Sequence, residues 1–232
     1  MLNETDRNIG QFRNDSDPVR SETSKDPLQQ VIQEYKTGLQ TPELITNFWQ
    51  IFIQTSVKQA GLNRDLPAIP NCDRTQEELE VLRKGGREMV YNPGFEYPIL
   101  GKIFRKMQSD SVKEDSPIKD EYERVGWVDV EMSLDTLNRD TSEDQLRDLF
   151  SSQGRDGQRL STYIWASQAS KVLTGHFLDE KTYSRLFGSR GRYNNIVSAY
   201  FGSDGLLRVS WDYNPEDHSP GLGGRSEGVK RT

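Results

Sequence analysis

The chain has 232 residues, 33% of them apolar, 28% charged and 9% aromatic, with 36 acidic against 30 basic residues and a net charge of −6. At ~150 residues per domain that length suits one large domain or two small ones. The aromatic content excludes a wholly disordered chain, the modest negative charge is no sign of a nucleic-acid partner, and a single cysteine, Cys72, excludes an intrachain disulfide or a cysteine-rich metal site.

Residues 1–25 carry few large apolar groups beyond Leu2, Ile9, Phe12 and Val19 and read as a disordered tail, because little apolar burial offsets their ordering entropy. The first thirty residues hold no apolar core of a secretory signal, and no stretch approaches the ~20 apolar residues of a spanning helix. The expectation is a cytoplasmic protein with no membrane partner.

Asp26-Pro27 opens a helix, with Asp as cap and Pro in the first turn. Leu28, Val31, Ile32 and Tyr35 follow at helical spacing up to Gly38. Thr41-Pro42 repeats the signal for the strongest helix of the chain, whose apolar face runs through Leu44, Ile45, Phe48, Trp49, Phe52, Val57 and Ala60 to a stop at Gly61. Residues 66–70 are extended around two prolines. Thr75 and Glu78 form a capping box, and its helix ends at Gly85-Gly86. A strand is expected over Arg87 to Tyr91, a helix over Tyr97 to Met107 and an alternating strand over Gly126 to Glu131.

Thr141 to Asp144 resembles a second capping box, for a helix ending at Gly154. Leu160 to Leu173 makes a further helix, and Asp179 is expected to cap a short one through Phe187. Ile196 to Phe201 and Leu206 to Trp211 flank Gly202-Ser-Asp-Gly205, a strong hairpin pattern. In that register Val197, Ala199 and Phe201 share one face with Leu207, Val209 and Trp211. The fold class is α+β, several helices around a small, mostly antiparallel sheet with a C-terminal β-hairpin. The expected organisation is a tail over 1–25, a helical part over 26–107, a charged linker over 108–124, an α+β part over 125–215, and an irregular Gly-rich tail over 216–232.

Few residues suggest chemistry. Gly224-Arg225-Ser226-Glu227-Gly228 fits G-x-S-x-G, but no helix can follow it and no acid or histidine comes after the serine in the order that hydrolase fold uses. Gly221 to Ser226 lacks the spacing and lysine of a phosphate-binding loop. Asp212, Glu216, Asp217 and His218 combine carboxylates with an imidazole, as metal sites and acid/base pairs do, although runs around Pro215 and Pro220 are typical of solvated turns. The basic run Lys181, Arg185, Arg190 and Arg192 interleaves with Tyr183, Phe187 and Tyr193, the pattern of a single-strand grip. Tyr200 and Arg208 share the outer face of the expected hairpin with Ile196, Ser198 and Ser210, and Tyr and Arg are enriched at binding hot spots. Cys72 reads as a small apolar filler, and the four tryptophans as core. No cofactor is expected. The reading is a non-catalytic binding module whose partner is another protein. The alternatives are an enzyme using Asp212 to His218 and a nucleic-acid accessory protein using Lys181 to Arg192.

Overall fold

A computed structural model describes residues 26–104, 115–122, 125–211 and 214–228. The expected tail over 1–25 and much of the expected linker over 108–124 lie outside them. The fold is α+β, and the described residues form six helices and two sheets.

The N-terminal helices follow their start signals. Asp26 and Thr41 accept the N–H of Leu28 and Leu44 and so cap α1 (Pro27–Thr37) and α2 (Pro42–Gln59). Their apolar stripes meet around Phe48, whose ring packs against Tyr35, Trp49 and Phe52 with centroids 4.7 to 5.7 Å apart. The Trp49 indole N–H donates to the Met89 carbonyl at 3.0 Å, which fixes α2 over the first sheet. The Thr75–Glu78 box starts α3 (Gln76–Lys84).

β1 (Arg87–Asn92) pairs antiparallel with β3 (Gly126–Glu131), from Arg87 opposite Glu131 to Asn92 opposite Gly126. Between them lie α4 (Tyr97–Ile103) and β2 (Lys119–Asp120). α4 ends at Ile103, because Phe104 leaves the helical region and packs on Trp165, and residues 105–107 of the expected helix lie outside the described residues. β2 occupies part of the expected linker: it borrows its order from β5 rather than from its own polar sequence.

α5 (Glu143–Ser152) starts one residue later than expected. Ser142 is the cap, because the longer Gln145 side chain reaches back to the Ser142 N–H at 2.9 Å. β4 (Asp156–Gly157) and α6 (Leu160–Thr174) follow. α6 is buried almost all round and touches β1 of the first sheet and β5 and β6 of the second.

The helix expected from Asp179 to Phe187 is replaced by β5 (Tyr183–Arg190). The strand is buried on both faces, so its sequence lacks the alternation that marks a half-buried strand. The hairpin of β6 (Ile196–Phe201) and β7 (Leu207–Ser210) has the expected register, with Ala199 opposite Val209 and Phe201 opposite Leu207. Gly205 supplies the turn's positive φ, 80°.

The segment expected as an irregular tail contains β8 (Leu222–Gly224) and β9 (Ser226–Glu227). The first sheet has strand order β1-β3-β9-β4 and the second β2-β5-β6-β7, with β8 added in parallel to β5. One apolar core cluster takes residues from α1 and α2, from β1 and β3, and from α6 and the hairpin.

Phe48 is fully buried, so Phe48→Ala should cost ~3–5 kcal/mol of stability by urea denaturation. A second test concerns Glu88, which accepts the Tyr35 hydroxyl at 3.0 Å. Burial pushes its carboxyl above the ordinary value, against the opposing pull of Tyr35 and Arg83. The folded state therefore holds a proton that the unfolded state has lost, and stability falls as pH rises through that window. Glu88→Gln should raise the denaturation midpoint at pH 8, and the gain should vanish below about pH 4.3, where both states are protonated.

Candidate functional site

Three consecutive residues of the final strand segment are fully buried: Arg225, Ser226 and Glu227. Arg225 sends Nε and Nη2 to the two carboxylate oxygens of Asp179, at 2.9 and 2.8 Å. The same Nε–H is shared with the Ser184 hydroxyl, and Nη1 and Nη2 donate to the carbonyls of Glu131 and Ser133. Asp179 has φ 59°, a conformation Asp tolerates better than most residues. Its carboxylate also accepts the hydroxyls of Thr182 and Ser184. The residue expected to cap a helix is thus the anchor of a buried ion pair.

Ser226 donates to Glu131 at 2.7 Å and accepts from Arg155 and Arg87, which also pair with Asp129. Glu227 pairs with Arg159 at 2.6 Å and accepts the Tyr122 hydroxyl at 2.9 Å. Burial is the main cause that pushes the Glu227 carboxyl up, with Arg159 opposing it. Burial and then Glu227 hold the Tyr122 phenol well above its usual range, so it stays a donor. The G-x-S-x-G serine is therefore enclosed between β3 and β4, with no open side for a substrate.

The outer face of the second sheet divides in two. Arg185, expected as a binding residue, is 2% exposed. Its guanidinium donates to the carbonyls of Thr141, Asn214 and Asp217, and so holds two loops down over the face. Leu146 and Phe150 of α5 pack there on Phe187 and Ile196. Ile196 and Ser198, expected to be open, are therefore buried.

The other half stays open. Tyr183, Tyr200 and Arg208 form a row across β5, β6 and β7. The two tyrosine rings meet edge to face at 4.4 Å, and the Arg208 guanidinium lies 5.6 Å from the Tyr200 ring. Arg208 pairs with Asp204 at 3.1 Å. The Leu206 N–H, then Arg208, lower the Asp204 carboxyl pKa, and Asp204 raises that of Arg208.

The other expected site residues do not converge. Arg190 pairs with Glu121 at 2.5 Å, while Lys181 and Arg192 are exposed. Asp212 lies outside the described residues. Glu216, Asp217 and His218 are exposed; the Asp217 carboxylate accepts the Asn214 N–H, and His218 lies 3.2 Å from Asp140. Among the described residues no group of three or more His, Cys, Asp or Glu side chains is placed to hold a metal ion. Cys72 is buried, which raises its thiol pKa.

Sequence reasoning missed a cleft of about 680 Å³ between the start of α4, β2 and the start of α6. Asp120 lines it. Its Oδ1 accepts the Tyr97 and Ser189 hydroxyls and its Oδ2 the Ser161 hydroxyl, each at 2.5 Å. Burial, then Asp120, raises the Tyr97 pKa well above its usual range. The Asn92 amide donates to Ser161 and Thr162, which orders the cleft wall at the first turn of α6. Ser189 reaches Asp120 because of an irregularity in β5. Leu186 pairs with Val197 but Arg190 with Ile196, which leaves Phe187, Gly188 and Ser189 outside that ladder. The parity of the strand is thereby reversed. No sequence pattern announces such a shift.

No protein-family model, curated protein or solved structure matches the chain.

The buried pair yields a direct test. Arg225→Met leaves the Asp179 charge without its counter-ion and should cost ~3–5 kcal/mol in urea denaturation. Adding Asp179→Asn removes that stranded charge, so the double variant should be more stable than Arg225→Met alone. A chain ending at Gly221 lacks an inner strand of the first sheet and should fail to fold by circular dichroism.

Proposed function

We propose that this protein acts by binding another protein, and that the row Tyr183–Tyr200–Arg208 is the centre of the contact. The observation that carries the reading is this half-exposed row on three adjacent strands, beside a half of the same face that is already covered. The two tyrosines supply large contact area at low entropic cost, and the arginine, already paired with Asp204, adds a charge beside them. The chemistry suits a partner that lays an apolar or aromatic side chain on the tyrosines and offers a carboxylate to Arg208 in exchange for Asp204.

A grip on single-stranded nucleic acid has less support. It calls for several cations acting together, and Arg185 and Arg190 are engaged within the protein.

Tyr200→Ala with Arg208→Ala should leave the circular dichroism spectrum unchanged and the melting temperature within a few degrees. In affinity capture from host lysate, the wild type should retain a stoichiometric protein that the double variant loses. Equal recovery of the same proteins by both forms would place binding elsewhere.

A further inference from the structure

We propose that the cleft between α4, β2 and α6 is a binding site for a small organic ammonium ion with an apolar body, its charge seated on Asp120. The first observation is an incompletely used carboxylate. Among the described residues Oδ1 of Asp120 accepts two hydroxyls, whereas Oδ2 accepts one. Each carboxylate oxygen offers about two acceptor positions, so Oδ2 keeps one. Hydroxyl dipoles orient and solvate the group but leave its charge uncancelled. Among the described residues Asp120 makes no ion pair, whereas the buried carboxylates Asp179, Asp129, Glu131 and Glu227 are each matched by an arginine.

The second observation is the cavity itself. Its volume of about 680 Å³ is that of a small-ligand site. Phe95, Pro98, Ile118 and Val125 supply apolar walls. Arg159 also lines it, but its charge is met by Glu227 at 2.6 Å. Glu96 and Lys119 stand exposed on the lining with opposite charges. Asp120 is thus the charge left over, which repels carboxylates and phosphates and selects a cation.

The hydroxyl donors come from three separate elements: Tyr97 from α4, Ser161 from α6 and Ser189 from β5. Their convergence fixes the carboxylate before any ligand arrives, so little ordering entropy is lost on binding. A primary ammonium fits the vacant position on Oδ2. One N–H would go to that oxygen, and a body of about one aromatic ring would rest against Phe95 and Ile118.

The test uses benzylamine, with benzyl alcohol and benzoate as the neutral and anionic isosteres, titrated into the full chain by calorimetry and followed by NMR shifts. Wild type should bind benzylamine at least about tenfold more tightly than benzyl alcohol, the size expected for a charge-assisted hydrogen bond, and should not bind benzoate. Asp120→Asn should abolish that preference. Should Asp120→Asn fail to fold, Phe95→Ala serves instead: it keeps the charge, removes a wall, and should weaken benzylamine several-fold. Equal affinity of wild type for amine and alcohol would overturn the proposal. So would a preference that survives Asp120→Asn, or an unchanged benzylamine affinity in Phe95→Ala.

Discussion

The fold depends on the fully buried ion pair between Arg225 and Asp179. A lone charge in that setting would cost several kcal/mol, and even a pair roughly breaks even unless its other donors and acceptors are satisfied. Here such bonds are made: Arg225 shares its Nε–H with Ser184 and directs Nη1 and Nη2 to the carbonyls of Glu131 and Ser133, and Asp179 takes two hydroxyls besides. One guanidinium thereby joins the end of β3, the approach to β5 and the segment between β8 and β9. The geometry that satisfies all these bonds at once admits one placement of the C-terminal segment, which then crosses from the second sheet to the first.

That crossing shapes how the molecule must assemble. β9 lies between β3 and β4, so the first sheet is incomplete until Ser226 and Glu227 are in place. The pairing of Val130 with Glu227 closes a loop of nearly a hundred residues, and such distant contacts form slowly. The helical hairpin of α1 and α2 is local and can order earlier. Arg87 and Arg155 donate to Ser226 and Arg159 pairs with Glu227, so the same segment is tied to the rest of the chain by charge as well as by strand pairing.

The same rigidity positions both surfaces proposed above as binding sites. The row of Tyr183, Tyr200 and Arg208 is exposed because Arg185 pins the neighbouring loops over only half of the sheet. The Asp120 carboxylate in the cleft is held in place because the shift in β5 turns Ser189 toward it while α6 brings Ser161 from the other side.

The sequence by itself determined the local elements whose cause is local. Asp26, Thr41 and the Thr75–Glu78 box start their helices through bonds spanning two or three residues. Asp204-Gly205 sets the hairpin and its register, and with it the shared face of Tyr200 and Arg208. Tertiary structure alone decided the rest. β2, β4 and β9 are two residues long and have no periodicity to read. β5 looked helical because a strand buried on both faces loses its alternation. Arg225, Ser226 and Glu227 read as part of an irregular Gly-rich tail, since burial of a charge is set by the group that meets it. For Arg225 that group is Asp179, 46 residues away along the chain and 2.8 Å away in space.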